Sequence, residues 1–129
     1  MSNKKGFTLV EIMIVVAIIA LLAAIAIPNL LRAKISANDA LAKGTLRSLS
    51  TASETFGTAN NGSYPGSEAS LTGATPPYTN KNYCGTTNAG FVYSCTFATG
   101  SYSFIATPVT VSTSGTTTFT MSTGGILTP

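Results

Sequence analysis

The stretch that decides the reading of this chain runs Gly6-Phe7-Thr8-Leu9-Val10-Glu11 and then Ile12-Met13-Ile14-Val15-Val16-Ala17-Ile18-Ile19-Ala20-Leu21-Leu22-Ala23-Ala24-Ile25-Ala26-Ile27-Pro28-Asn29-Leu30-Leu31. No charge interrupts the 20 residues between Glu11 and Arg32. At ~1.5 Å per residue they span about 30 Å as a helix, one hydrocarbon thickness. Apolar residues occupy every face, so the helix suits lipid or a bed of similar helices rather than one side of a core. Lys4 and Lys5 precede it, which predicts a cytoplasmic N-terminus and an outward-facing remainder. A plain single-pass anchor satisfies this pattern. So does a secretory signal peptide, with Ala24-Ile25-Ala26 imitating its cleavage site. Glu11 fits neither, because an ionisable group at the head of a lipid-spanning run is costly and marks a functional site with a partner to be found.

The whole composition points the same way. The chain has 129 residues, no His, no Trp and two Cys, with 7 basic and 4 acidic side chains. The missing imidazole excludes His-dependent bases, triads and metal sites. The formal charge is +3, and Lys4 and Lys5 supply two of it, so no basic surface for nucleic acid is expected. At 44% hydrophobic residues and a mean hydropathy of +0.33, the chain is too apolar for disorder. Length allows one domain with an attached anchor. No carboxylate pair, phosphate loop or nucleophile–base constellation is present, so no catalytic residue, cofactor or metal is expected and the protein reads as a non-enzyme.

Lys4-Lys5-Gly6-Phe7-Thr8-Leu9-Val10-Glu11, with charge ending at Gly6 and hydrophobicity starting at Phe7, resembles the class III signal of type IV pilins and pseudopilins. The resemblance runs from Lys4 through Pro28. It implies that a prepilin peptidase and methyltransferase cuts between Gly6 and Phe7 and N-methylates Phe7. It further implies a homopolymer raised from the bacterial inner membrane by an assembly ATPase and platform proteins. Phe7, Glu11 and Pro28 are the expected assembly residues. One departure is Ala20, which stands where many pilins have glycine, leaving Pro28 to weaken the helix. The physics agrees with the motif. Cleavage creates an ammonium at Phe7 in apolar surroundings, and a desolvated charge must be paired. Glu11, four residues on, can meet it within one chain, one helical turn away, or in a neighbour.

From Arg32 the pattern becomes amphipathic. At 100° per residue Leu31, Ile35, Ala42, Leu46, Leu49 and Phe56 form one stripe, with Arg32, Asp39, Lys43, Arg47 and Glu54 on its flank. Asp39 and Lys43 read as an acid-first pair one turn apart. Pro28 should kink or locally open the helix, Gly44 softens it by about 1 kcal/mol, and Gly57 with Asn60-Asn61-Gly62 should end it. A continuous helix from Phe7 to Phe56 is about 75 Å long. Residues 58–129 are Thr-, Ser-, Gly- and Asn-rich with interleaved aromatics. Asn61-Gly62-Ser63-Tyr64-Pro65 is a turn cluster that also resembles a pilin segment. Strand-like runs lie at Gly90–Phe97, Tyr102–Pro108 and Thr116–Met121, separated by Ala98-Thr99-Gly100-Ser101 and Ser112-Thr113-Ser114-Gly115.

The expected fold is therefore α+β: a long N-terminal helix on a small antiparallel sheet of three or four strands. The expected parts are a leader at 1–6, a transmembrane and assembly helix at 7–31, its amphipathic continuation at 32–57, and a β head at 58–129. Cys84 and Cys95 fit no CxxC redox or zinc spacing and, outside the membrane, read as a disulfide closing a 12-residue ring. The functional expectation is a subunit of a type IV pilus, in the inner membrane first and in an extracellular filament afterwards, with attachment and motility as family roles. The alternative is the major pseudopilin of a type II secretion system, in a periplasmic pseudopilus. No Asp or Glu follows Glu68, which removes the hard anionic ligands that the calcium site of major pseudopilins implies and favours the pilus.

Overall fold

The computed structural model describes residues 6–129, so Lys4, Lys5 and most of the expected leader lie outside the described residues. One long helix, α1 (Leu9–Ala59), is followed by a short α2 (Glu68–Thr72). Five strands then come in order: β1 (Thr87–Asn88), β2 (Phe91–Ala98), β3 (Ser101–Pro108), β4 (Phe119–Ser122) and β5 (Ile126–Thr128). The chain forms two compact units, one ending at Ala33 and one spanning Lys34–Pro129. The fold is α+β, as the residue pattern predicts.

In the second unit the strands form one antiparallel meander in sequence order. Two-residue alternation carries the packing. Phe91 and Tyr93 of β2, Tyr102, Phe104 and Ala106 of β3, and Phe119 and Met121 of β4 are buried, against Ala42, Leu46 and Leu49 of α1. Aromatic pairs fill the layer: Tyr102 stacks on Phe104 at 5.0 Å and Phe91 on Phe119 at 5.9 Å. The sheet has five strands rather than three or four because two short edges, Thr87–Asn88 and Ile126–Thr128, pair onto β2 and β4.

Three details correct the sequence reading. The helix passes through Gly57 and ends at Ala59, because the Tyr64 ring lies 3.3 Å from where a Cβ would stand and glycine is there to admit that ring. The true stop is Asn61, with φ +56°, and the Gly62 amide donates to the Gly57 carbonyl at 2.8 Å, the six-to-one bond of a Schellman cap. The strand expected at Thr116–Met121 begins only at Phe119, because Thr116 spends its amide on the Asp39 carboxylate (2.9 Å) and its hydroxyl on the same group (2.6 Å). Asp39 is accordingly not a surface partner for Lys43, which lies over the Phe119 ring instead, 4.8 Å from its centroid. Gly115 lets this anchor form, since the Phe91 ring and Asp39 Oδ1 occupy the space a side chain needs.

The Cys84–Cys95 disulfide is formed, with Cα atoms 5.4 Å apart, and it ties the loop before β1 to the middle of β2. Glu68 holds the same loop from α2 by accepting the amides of Tyr83 and Cys84. A head this small has little core to spare, so such staples carry weight. Replacing both cysteines by serine should lower the unfolding free energy of the second unit by about 2–3 kcal/mol, measured by urea unfolding of the detergent-solubilised chain. An unchanged midpoint would contradict that role.

Candidate assembly site

Phe7 is 86% exposed and lies before the helix, which starts at Leu9. Thr8 is the N-cap. The Thr8 amide donates to Glu11 Oε2 at 2.7 Å, the Thr8 hydroxyl donates to the same oxygen at 2.7 Å, and the Glu11 amide donates to Thr8 Oγ1 at 3.3 Å. That reciprocal pattern is a capping box, Thr-x-x-Glu, with Phe7 at the position before the cap and Ile12 at the fourth helical residue, where a hydrophobic staple would sit. The helix expected from Phe7 starts two residues later, at Leu9, and in this uncut chain, where Phe7 carries a peptide amide, the Glu11 carboxylate turns to Thr8.

Beyond the cap, α1 is apolar and uncovered. An 18-residue apolar window has none of its residues buried. The exposed large hydrophobics include the consecutive residues Ile12, Met13, Ile14, Val15 and Val16, which fall on all sides of the helix. Pro28 lies inside α1, which stays helical on both sides of it, so the proline removes one donor without ending the helix. Of the residues singled out from the sequence, Gly6, Phe7, Glu11 and Pro28 all fall in this first unit, and Cys84 and Cys95 in the second. Among the described residues no group of His, Cys, Asp or Glu is arranged to hold a metal ion.

The remaining carboxylates are internal anchors. Glu54 Oε1 accepts the Tyr102 hydroxyl (2.7 Å) and the Gly124 amide (2.9 Å), and Oε2 accepts the Tyr64 hydroxyl (2.9 Å). Ser50 completes the chain by donating to the Tyr102 oxygen at 2.7 Å. The Tyr102 bond, with the Gly124 and Tyr64 bonds behind it, holds the Glu54 carboxyl below its ordinary range against the opposing effect of desolvation. Burial first, and then the Glu54 charge, pushes Tyr102 up to about 12. Asp39, Glu54 and Glu68 thus each fasten a loop of the head. Spacing along the helix does not reveal these partners, since they come from 10 to 77 residues away.

A long helix followed by a helix-on-meander head is a pilin-like fold, and the uncovered first part of that helix is long and apolar enough to cross a membrane. The prokaryotic N-terminal methylation motif matches residues 1–27. The chain is 48% identical over 71 residues to the type IV wide pilus major component PilA4 of Thermus thermophilus, covering 55% of this chain and 53% of that protein. It is 52% identical over 54 residues to the type IV major pilin protein PilA of Myxococcus xanthus, covering 42% and 24%. Similarity to the type II secretion system core protein G of Pseudomonas aeruginosa is 34% over 69 residues, covering 54% and 48%. No solved structure matches. The chain spans about half the length of the first of these relatives and a quarter of the second. The chain thus carries the prokaryotic N-terminal methylation motif and is similar, over part of its length, to type IV major pilins.

Glu54 gives a pH prediction. Its folded pKa lies below the unfolded value, so its contribution is present above the ordinary glutamate pKa of about 4.3 and is lost as pH falls through the folded value. Urea midpoints of the head should therefore drop between pH 6 and pH 3, and Glu54→Gln should show a smaller drop than wild type. Equal drops in the two proteins would remove Glu54 from the account.

Proposed function

We propose that the chain is a structural subunit that polymerises through its hydrophobic N-terminal helix into a type IV pilus filament. In this reading residues 1–6 are a leader, cut away between Gly6 and Phe7, and Phe7 is N-methylated. Residues 7–31 span the inner membrane with the N-terminus cytoplasmic and later form the filament interior. Residues 32–57 continue the helix onto the head, and 58–129 form the exposed surface. Attachment and motility are the corresponding roles outside the cell. The partners are other copies of the chain, the prepilin peptidase and methyltransferase, and an assembly ATPase with its platform.

The observation that carries the reading is the uncovered apolar half of α1 behind Glu11. Apolar area removed from contact with water or headgroups is worth roughly 25 cal/mol per Å2, so each 100 Å2 buried between copies contributes about 2.5 kcal/mol. Glu11 gives the association its register. Leader removal frees an ammonium on Phe7, and the carboxylate of a neighbouring copy neutralises it at a fixed axial stagger. Pro28 leaves one carbonyl of the preceding turn free and allows local opening when helices crowd together. The similarity to the type II secretion core protein keeps a second reading, a periplasmic pseudopilus, while the absence of acidic residues after Glu68 supports the pilus.

Glu11→Ala should leave the chain membrane-inserted with a folded head, and abolish filaments. Electron microscopy of cells and sheared fractions, with protease protection for insertion, reads both. Abundant normal filaments from Glu11→Ala would overturn the assembly role.

A further inference from the structure

We propose that Thr8 is a positioning residue for leader removal: its capping box with Glu11 starts the helix beyond the Gly6–Phe7 bond and so presents that bond to the peptidase as extended chain. The inference rests on the processing reading above. Hydrolysis breaks the bond between the Gly6 carbonyl carbon and the Phe7 nitrogen, with water supplying hydroxyl to Gly6 and a proton to Phe7. A peptide inside a helix has its amide and carbonyl engaged in the ladder and its side chains wound about the axis, so it fits a cleft for extended substrate poorly. The scissile bond escapes this by two residues. Gly6 and Phe7 are both exposed and non-helical, Thr8 is the cap, and Leu9 is the first helical residue.

The cap is needed because the first amides of a helix have no partner in their own ladder, and in apolar surroundings water does not replace it. Winding the helix further upstream would satisfy them at the expense of the scissile bond. Thr8 removes that incentive, since its hydroxyl takes the Glu11 amide while the Glu11 carboxylate takes its own amide and hydroxyl. Gly6, a poor helix former, resists the same extension. Among the described residues nothing lies within 4 Å of where a Gly6 side chain would begin, so the bare backbone there is open to close approach by another molecule.

The test follows cleavage of the full-length chain in membranes by prepilin peptidase, with NMR of the uncut chain in micelles reporting the Phe7 backbone. Thr8→Ser keeps the cap and should be cut at the wild-type rate. Thr8→Ala should move Phe7 toward helical shifts and slow cleavage by about fivefold, the population change expected from losing one cap. Adding Leu9→Pro to Thr8→Ala should restore both, because proline is tolerated at the first helical position and keeps the preceding residue out of the helix without any hydroxyl. Phe7 remaining extended in Thr8→Ala, or cleavage of that variant at the wild-type rate, would overturn the proposal. So would slow cleavage of the double variant with Phe7 extended, since the hydroxyl would then be contacting the enzyme. Wild-type chain left uncut between Gly6 and Phe7 would instead remove the processing reading itself.

Discussion

Everything in this molecule depends on an apolar helix that its own chain does not bury. A soluble domain hides such a surface on folding, and here an 18-residue window of α1 has none of its residues covered. Such a surface suits lipid or other copies of itself, and the filament proposed above, grown out of a membrane, would use both in turn. The head answers a smaller version of the same problem. It has one sheet face and one helix stripe to cover, and it does so with ten buried residues, seven on strands and three on α1.

Charge is used sparingly, and each of the four carboxylates has a hydrogen-bond partner. The four acidic residues are Glu11, Asp39, Glu54 and Glu68. The last three fasten loops of the head: Asp39 holds Thr116, Glu54 holds the tyrosine pair and Gly124, and Glu68 holds the segment that carries Cys84. Glu11 differs in what surrounds it. Its present partner, Thr8, lies three residues away and is neutral, while the partner that assembly would offer is charged. The capping box thus shelters the carboxylate in the single chain, and the proposed assembly would exchange that box for a stronger, charged bond.

Much of this was legible in the residues. The uncharged run from Ile12 to Leu31 gives the anchor without any structure, and the alternation of Tyr102, Phe104 and Ala106 gives the inward face of β3. Local rules failed where distant groups intervened. Asp39 and Lys43 have ideal helical spacing, yet Thr116 takes the carboxylate from 77 residues away. Gly57 reads as a helix stop until the Tyr64 ring is seen to need its space. Thr8 is different, because its signal was local. Thr-x-x-Glu ahead of an apolar run is a capping box on inspection, and hydrophobic periodicity passes over it because a cap lies outside the periodic pattern.

The most direct test of the central claim is the intact mass of the chain in filaments sheared from the cell surface. The account predicts that this chain dominates the fraction, with a mass that begins at N-methylated Phe7. An identically processed chain retained in the cell envelope would contradict the pilus and transfer the assembly to a pseudopilus. A chain still beginning at Met1, or one cut after Ala26, would contradict the account as a whole.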